Sequence, residues 1–181
     1  ASADANGHWQ FTYSYSDPLA EGSYAFHVTV MDVAGNTATS EKLNITVDTS
    51  LNIPSVDLAA HADTGISPTD NIINSKNPEF VLNNVDKDVT HVTITIDGVD
   101  YPVTQNNGSW AFTAPVGLSD GEHVISATIT DLAGNSTTSD ALIITIDTAI
   151  NAPVVMLSDD TGVQGDSQTN DTTPGFAITT D

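Results

Sequence analysis

Aspartate is the residue type in this chain that is best placed to do chemistry. The sequence contains 20 Asp and 4 Glu against three Lys and no Arg, which gives a formal net charge of −21. Two interpretations of these side chains stay open, because Asp forms Asx turns in β proteins and its oxygens are also preferred ligands of Ca²⁺. A compact chain with this charge repels itself unless counter-ions bind. We therefore expect Ca²⁺ as the cofactor.

One set of aspartates is expected where two units of the chain meet. The segment Asp-Leu-Ala-Gly-Asn at 131–135 is related to Asp-Val-Ala-Gly-Asn at 32–36. Such a segment is either a tight turn capped by its own Asp or a device that presents a carboxylate at one end of the fold. Strand counting places it beside the entering linker and the 84–90 loop. The predicted ligands here are Asp48, Asp86, Asp88 and Asp131, with Asp32 as the counterpart of Asp131.

A second set of aspartates is expected at the opposite end. The loop over residues 63–77 is long, and loops of this length are usually functional or held by a ligand. It begins with Asp-Thr-Gly, as does the related loop that starts at residue 160. The alternative is an ordered polar loop held by Asx turns. The predicted ligands at this end are Asp63, Asp70, Asp120 and Asp147, with Asp160 and Asp166 in the related loop.

These aspartates recur because the chain repeats itself. Asp32 and Asp131 are 99 residues apart, as are Asp48 and Asp147. A solenoid unit has about 20–50 residues, whereas a small β-sandwich of the immunoglobulin type has about 100. The repeat predicts three pieces: residues 1–49 as the C-terminal part of one domain, 50–148 as a complete domain, and 149–181 as the N-terminal part of the next.

Apolar and polar residues alternate along short segments, which is the pattern of β-strands. In the complete repeat the predicted strands are 54–60, 78–83, 91–96, 99–104, 109–114, 123–130 and 137–146. Asp97 and Gly98 predict a two-residue hairpin turn, and Asn107 with Gly108 predicts another. Trp110 and Phe112 share one face of a strand, which favours core packing over an exposed sugar platform. The predicted fold is all-β, with tandem immunoglobulin-like sandwiches joined by short, stiff linkers.

Composition excludes several classes of function. Three cations are too few to neutralise phosphates, so nucleic acid is not an expected partner. No apolar run approaches the ~20 residues of a membrane helix, so membrane insertion is not expected. No nucleophile–base arrangement recurs between the repeats, and an enzyme is not expected. The absence of cysteine and the acidic composition suit a secreted or surface-displayed bacterial protein.

The repeated motifs resemble the bacterial immunoglobulin-like repeats of giant adhesins exported by type I secretion. The motifs that carry this resemblance are the Trp-x-Phe strand, the Asp-x-Ala-Gly-Asn turn, the Val-Asp-Thr linker and the Asp-Thr-Gly loop. The resemblance implies sandwich domains joined by calcium-stiffened linkers, with the matching Asp residues as ligands. It also implies cell adhesion and virulence, with the host cell surface, its glycans or a biofilm contacted through other parts of the parent protein.

Two other functions fit the same sequence. One is a carbohydrate-binding module of a secreted protein, which would use an exposed Trp110. The other is a cadherin-like segment in which domains of one chain bind domains of another and mediate homophilic adhesion.

Overall fold

The computed structural model describes residues 2–3, 5–6, 8–12 and 18–180, and all the regular structure in these ranges is β-strand. None of the described residues forms a helix that is long and apolar enough to cross a membrane. The strands up to residue 49 are β1 (Ser2–Ala3), β2 (Trp9–Gln10), β3 (Gly22–Phe26), β4 (Thr29–Met31), β5 (Thr37–Thr39) and β6 (Leu43–Val47).

Residues 50–148 form a two-sheet sandwich. Its strands are β7 (Ser55–Leu58), β8 (Ile72–Ile73), β9 (Glu79–Asn83), β10 (Val89–Ile96), β11 (Val99–Val103), β12 (Ala111–Thr113), β13 (Gly121–Asp131), β14 (Ser136–Thr138) and β15 (Leu142–Ile146). One sheet has the order β11-β10-β13-β15-β8, with β14 also paired to β13, and the other has the order β12-β9-β7. The all-β, immunoglobulin-like fold class is confirmed.

The core lies between these two sheets because every second residue of the long strands is apolar. Along β13, Ile125, Ala127 and Ile129 are fully buried, and they face Phe80 of the smaller sheet within one hydrophobic cluster. Residues between them are less buried, as the two-residue period of a strand requires. Trp110 and Phe112 pack against this cluster, so core packing is confirmed for this pair.

Two turns of the complete repeat have the backbone that their sequences predict. Asp97 and Gly98 have φ values of 49° and 82° and join the paired strands β10 and β11. Positive φ at both positions is the type I′ geometry that fits the twist of a hairpin. Asn107 and Gly108 have the same φ values, but this turn closes only an isolated bridge. Beyond this bridge the chain passes from one sheet to the other, so β11 and β12 do not pair to extend the predicted hairpin.

The single strand predicted over residues 137–146 is wrong, because the chain breaks at Ser139. The Ser139 side chain accepts a hydrogen bond from the Ala127 N–H at 2.9 Å and donates to the Asp140 carbonyl at 2.7 Å. It thereby replaces a backbone partner of β13 between β14 and β15. Ser40 makes the same contacts with Val28 and Glu41 in the preceding repeat, so the break belongs to the repeat.

The long loop contains a short strand that alternation did not reveal. Ile72 and Ile73 form β8, which pairs in parallel with the end of β15, and Ile73 is almost completely buried. Two residues are too few to show a period. Gly65 allows the loop to fold closely, since a Cβ there would lie 2.9 Å from the Ile72 carbonyl oxygen.

The flanking pieces form separate two-stranded sheets. In residues 1–49 the described pairs are β1–β2, β3–β6 and β4–β5, and after residue 149 β16 (Val154–Leu157) pairs with β17 (Phe176–Thr179). Trp9 is 70 % exposed, unlike its counterpart Trp110, because no second sheet faces it among the described residues. Gly7, of the first Asn-Gly pair, lies outside those residues.

The break at Ser139 gives a prediction about stability. Ser139→Ala leaves the Ala127 N–H without its side-chain acceptor inside a buried sheet, and we expect a loss of about 1–3 kcal/mol in unfolding free energy. Urea unfolding followed by Trp110 fluorescence in a Trp9→Phe background measures this loss. Ser109→Ala, at an exposed turn position, is the matched control and should change the midpoint little. Equal midpoints for the two variants would contradict the role given to the Ser139 hydroxyl.

Candidate metal centre at the linker

Three carboxylates from separate segments meet where the linker enters the complete domain. Asp48 follows β6, Asp88 lies between β9 and β10, and Asp131 ends β13. One oxygen of each lies within 4.8 Å of the others. Across the described ranges this is the one group of three or more acidic or His side chains that are so close. Two of the residues belong to the complete domain and one to the linker.

Asp131 is fixed by its own turn. Its Oδ1 accepts hydrogen bonds from the Gly134 and Asn135 backbone N–H groups at 2.7 and 2.8 Å, and its Oδ2 accepts one from the Asn135 side chain at 2.8 Å. The residue is only 3 % exposed. Burial alone would raise the pKa of Asp131, but the hydrogen bonds from Asn135 and the turn amides outweigh it and hold the pKa below its usual value. Asp131 is therefore a fixed negative charge.

The same turn also holds the loop that carries Asp88. The Leu132 N–H donates to the Asp88 carbonyl oxygen at 3.1 Å. The Asp88 side chain is exposed and faces Asp48. The Ser50 N–H lowers the pKa of Asp48, but partial desolvation and the neighbouring Asp88 and Asp131 outweigh it and raise the pKa above its usual value. The three charges therefore repel one another.

Hydrogen bonds fix the path of the linker independently of these charges. The Asn135 side chain donates to the Asp48 carbonyl oxygen at 3.2 Å. Asp86 accepts from both the backbone and the side chain of Asn52, at 2.8 and 2.6 Å. The Asn84 side chain donates to the Ile53 carbonyl oxygen at 2.8 Å. Asp86, predicted as a metal ligand, thus lies at this end of the domain and binds the linker directly.

An acidic side chain also holds the linker from the preceding repeat. Oε1 of Glu21 accepts hydrogen bonds from the Thr49 N–H at 3.1 Å and from the Thr49 hydroxyl at 2.8 Å. Ninety-nine residues later, the Thr148 hydroxyl donates to Asp120 at 2.8 Å. Glu21 in one repeat and Asp120 in the next therefore accept the same hydrogen bond from the linker Thr. Sequence reasoning missed this anchor, although the fixed spacing between the acid and the linker Thr was a usable signal.

The structure does not bring the second predicted set together into such a group. Asp120 binds Thr148 and lies 3.2 Å from Lys76 Nζ, and both contacts lower its pKa, the Thr148 hydrogen bond most. Asp70 accepts from the Ile72 N–H at 3.1 Å, and Asp147 from the Ala149 N–H at 3.2 Å. Both are Asx turns, the alternative that the sequence left open.

The first aspartate of each long loop has an unusual environment. Asp63 Oδ1 and Asp160 Oδ1 are buried, and neither has a hydrogen-bond partner among the described residues. Each loop also contains an equivalent internal hydrogen bond. Thr64 donates to Asn74 in the first loop and Thr161 donates to Asn170 in the second, both at 2.8 Å. The orphaned oxygen thus recurs in two copies of one loop.

The remaining predicted ligands lie in turns of their own. Asp32 accepts from the Ala34 and Asn36 N–H groups and from the Asn36 side chain at 2.8–2.9 Å, which lowers its pKa, the Asn36 side chain most. Asp160 Oδ2 accepts from the Gly165 N–H at 2.7 Å, and Asp166 accepts from the Gln168 N–H at 2.9 Å.

Asn135 gives a prediction with a matched control in the same chain. Asn135→Ala removes a donor to Asp131 and the donor to the Asp48 carbonyl, so the linker amides around residues 48–52 should exchange hydrogen faster. Asn36→Ala is the control: it removes the corresponding hydrogen bond to Asp32, but within the described ranges the structure shows no hydrogen bond from the Asn36 side chain to a linker. Hydrogen–deuterium exchange of a peptide spanning residues 47–54 separates the two. A linker unaffected by Asn135→Ala would show that the turn does not hold it.

Comparisons with known proteins identify the family of this chain. A sequence profile described as "Bacterial Ig-like domain" matches residues 1–49 and 50–148. The chain is also similar to the fibronectin(III)-like modules of CbhA from Clostridium thermocellum, with a TM-score of 0.41 and 17 % identity, covering 71 % of this chain and 64 % of that one. The chain thus spans less than two thirds of that structure's length. No curated protein matches it. Since the profile covers most of the sequence, the chain belongs to the bacterial Ig-like domain family.

Proposed function

We propose that this chain is a calcium-stiffened stalk segment of a giant bacterial adhesin, displayed on the cell surface or secreted. In this proposal the domains carry no catalysis. They hold a binding region, elsewhere in the parent protein, away from the cell and towards a host surface or a biofilm. Bacterial Ig-like domains are typically extracellular structural modules without enzymatic activity. This supports both the proposed location and a structural role.

The observation that carries the proposal is the carboxylate group across the linker. Asp48 belongs to the connection, whereas Asp88 and Asp131 belong to the domain that follows it. An ion held by all three would join the connection to that domain. Without an ion, the repulsion among the three charges opposes the same arrangement, so the mechanics of the junction would depend on the cation.

The donor set fits Ca²⁺. Carboxylates and carbonyls are the oxygen ligands that this hard cation takes, six to eight at a time. No Cys is present in the chain, so a site for a soft metal is not suggested. Asp48, Asp88 and Asp131 would hold the ion, which would supply the positive charge that offsets their repulsion. Asn135, Asp86 and Asn84 orient the linker towards this position.

The orphaned oxygens of the long loops support a second position for cations. A buried carboxylate oxygen without a hydrogen bond is costly, and a bound cation removes that cost. Asp63 Oδ1 and Asp160 Oδ1 have this environment in two related loops. We include these two loops in the proposal as separate calcium positions, away from the linker cluster.

The two alternative functions have weaker support. A sugar-binding surface at Trp110 is disfavoured because this ring packs against the core with Phe112. The restraints described above act between the linker and its own neighbouring domains and support a stiff connection, whereas a cadherin-like segment would in addition bind a second copy of the chain.

Calcium titration tests the linker site. By isothermal calorimetry the chain should bind Ca²⁺ with a dissociation constant on the order of 10⁻⁴–10⁻³ M, as extracellular modules do. Asp88→Asn removes an exposed ligand without changing side-chain size, and should weaken this site about tenfold, or about 1.4 kcal/mol. Glu122→Gln removes one charge from the outer face of β13 and is the control. Equal weakening in the two variants would mean that only net charge matters.

Small-angle X-ray scattering tests the stiffening. In millimolar Ca²⁺ the wild-type chain should have a larger maximum dimension than in EGTA, because the junction can bend once the ion is removed. Asp88→Asn in the same Ca²⁺ concentration should have a maximum dimension between those of wild type in Ca²⁺ and wild type in EGTA, while circular dichroism shows that the strands stay folded. If the maximum dimension is the same with and without EGTA, the stiffening proposal fails even where calcium binds.

A further inference from the structure

His123 and Tyr24 occupy equivalent positions in successive repeats, each two residues after the glycine that begins a strand. The Tyr24 hydroxyl donates to the Ala20 carbonyl oxygen at 2.8 Å. His123 Nε2 lies 2.8 Å from the Ser119 carbonyl oxygen, also four residues upstream. The contact resembles the tyrosine corner of immunoglobulin folds, in which a side chain ties down the preceding loop. One repeat uses a phenol and the next an imidazole, which titrates near neutral pH.

The second ring nitrogen of His123 has an acidic partner. Nδ1 lies 2.6 Å from Oδ2 of Asp97, the residue at the turn between β10 and β11. Asp97 is itself held in place, because its Oδ1 accepts the Val124 N–H at 2.9 Å and its own N–H donates to the Val124 carbonyl at 3.0 Å. The His123 ring therefore connects this hairpin to the segment that precedes β13.

Both partners of the ring are hydrogen-bond acceptors. A carbonyl oxygen and an ionised carboxylate have no hydrogen to donate, so both contacts form only when both nitrogens of His123 carry one. His123 is 6 % exposed, and burial alone would lower its pKa. The hydrogen bonds to Asp97 and Ser119 outweigh burial and raise the pKa of His123, while the contact with His123 lowers that of Asp97. The geometry thus suits the imidazolium form.

Few other charges act on this ring. On β15 the residue opposite His123 is the apolar Ile144, and Glu122 lies on the outer, exposed face of β13. Lys76 and Asp120, next to Ser119, pair with each other at 3.2 Å. Among the described residues, Asp97 is the one charged group whose field shifts the pKa of His123.

We propose that His123 is a proton-operated latch at the end of the domain where the chain leaves it. The protonated ring ties Ser119 to the β10–β11 hairpin, and the neighbouring Asp120 holds Thr148 of the exit linker. Loss of one proton leaves one ring nitrogen facing an acceptor with no hydrogen between them, so one of the two contacts opens.

The sign of the effect follows from the direction of the shift. The pKa of His123 is higher in the folded chain than its ordinary value of about 6.5. The latch therefore adds its full stability below that value and loses it as pH rises through the folded pKa. The domain exit should be firmest under mildly acidic conditions and loosen above neutrality.

Nitrogen-detected NMR of the full chain tests the latch directly. Both ring nitrogens of His123 should be protonated at pH 6, and its titration midpoint should lie above the ordinary histidine value of about 6.5. Asp97→Asn keeps a turn-forming Asn-Gly pair but removes the carboxylate, and should lower the midpoint of His123. A neutral ring at pH 6, or a midpoint that does not respond to Asp97→Asn, would overturn the proposal.

Stability measurements test the consequence for the fold. Relative to His123→Tyr, which restores the residue of the preceding repeat, the urea midpoint of wild type should fall between pH 6 and pH 9. The other titratable groups are the same in the two proteins, so the difference between their pH dependences comes from position 123. Equal pH dependence in the two proteins would refute the latch. Should His123→Tyr fail to fold, Asp97→Asn serves in its place, and its midpoint should show the smaller pH dependence.

Discussion

A buried carboxylate organises the end of the domain that receives the linker. Asp131 can be 3 % exposed and still ionised because three hydrogen bonds from its own turn replace water. The same hydrogen bonds shape the turn, so that Leu132 binds the Asp88 loop and Asn135 binds the linker. Since Asp131 cannot move away, Asp48 and Asp88 meet a charge that stays in place. The turn that holds Asp131 therefore maintains the repulsion among the three carboxylates at the junction.

Two kinds of interaction act on the linker at this junction, and they differ in whether they depend on a cation. The hydrogen bonds that Asn84 and Asn135 donate to the linker, and the one that Glu21 accepts from it, fix the path of the linker and need no ion. The charges of Asp48, Asp88 and Asp131 work against that path when no cation is near. A cation would therefore change how firmly the linker holds one arrangement rather than select another. In the stalk proposed above, a connection that stays extended would need this property more than a conformational switch.

Part of the fold and part of the candidate site could be predicted from the sequence, because they depend on residue type and on the alternation of the strands. The Asp97-Gly98 turn follows from residue type alone, and strand parity was enough to place Asp48, Asp88 and Asp131 at one end of the sandwich. The break at Ser139, the two-residue strand β8 and the pairing of Asp120 with Thr148 were missed. Each depends on a partner far away in the sequence, which neither alternation nor turn propensity contains. Aligning Ser40 with Ser139 and Glu21 with Asp120 would have flagged two of them.

Two repeats in one chain separate what the architecture requires from what one domain adds. Glu21 and Asp120 differ in length, yet each accepts a hydrogen bond from the linker Thr at 2.8 Å, so the architecture fixes the contact rather than the residue. Tyr24 and His123 also preserve a contact, to a carbonyl four residues upstream. At this position the imidazole of His123 adds a group that binds a proton. It also has a second partner, Asp97, which is not needed for the contact to the upstream carbonyl. A substitution that keeps the structural contact and gains a titratable one changes how the domain responds to its surroundings while leaving its fold in place.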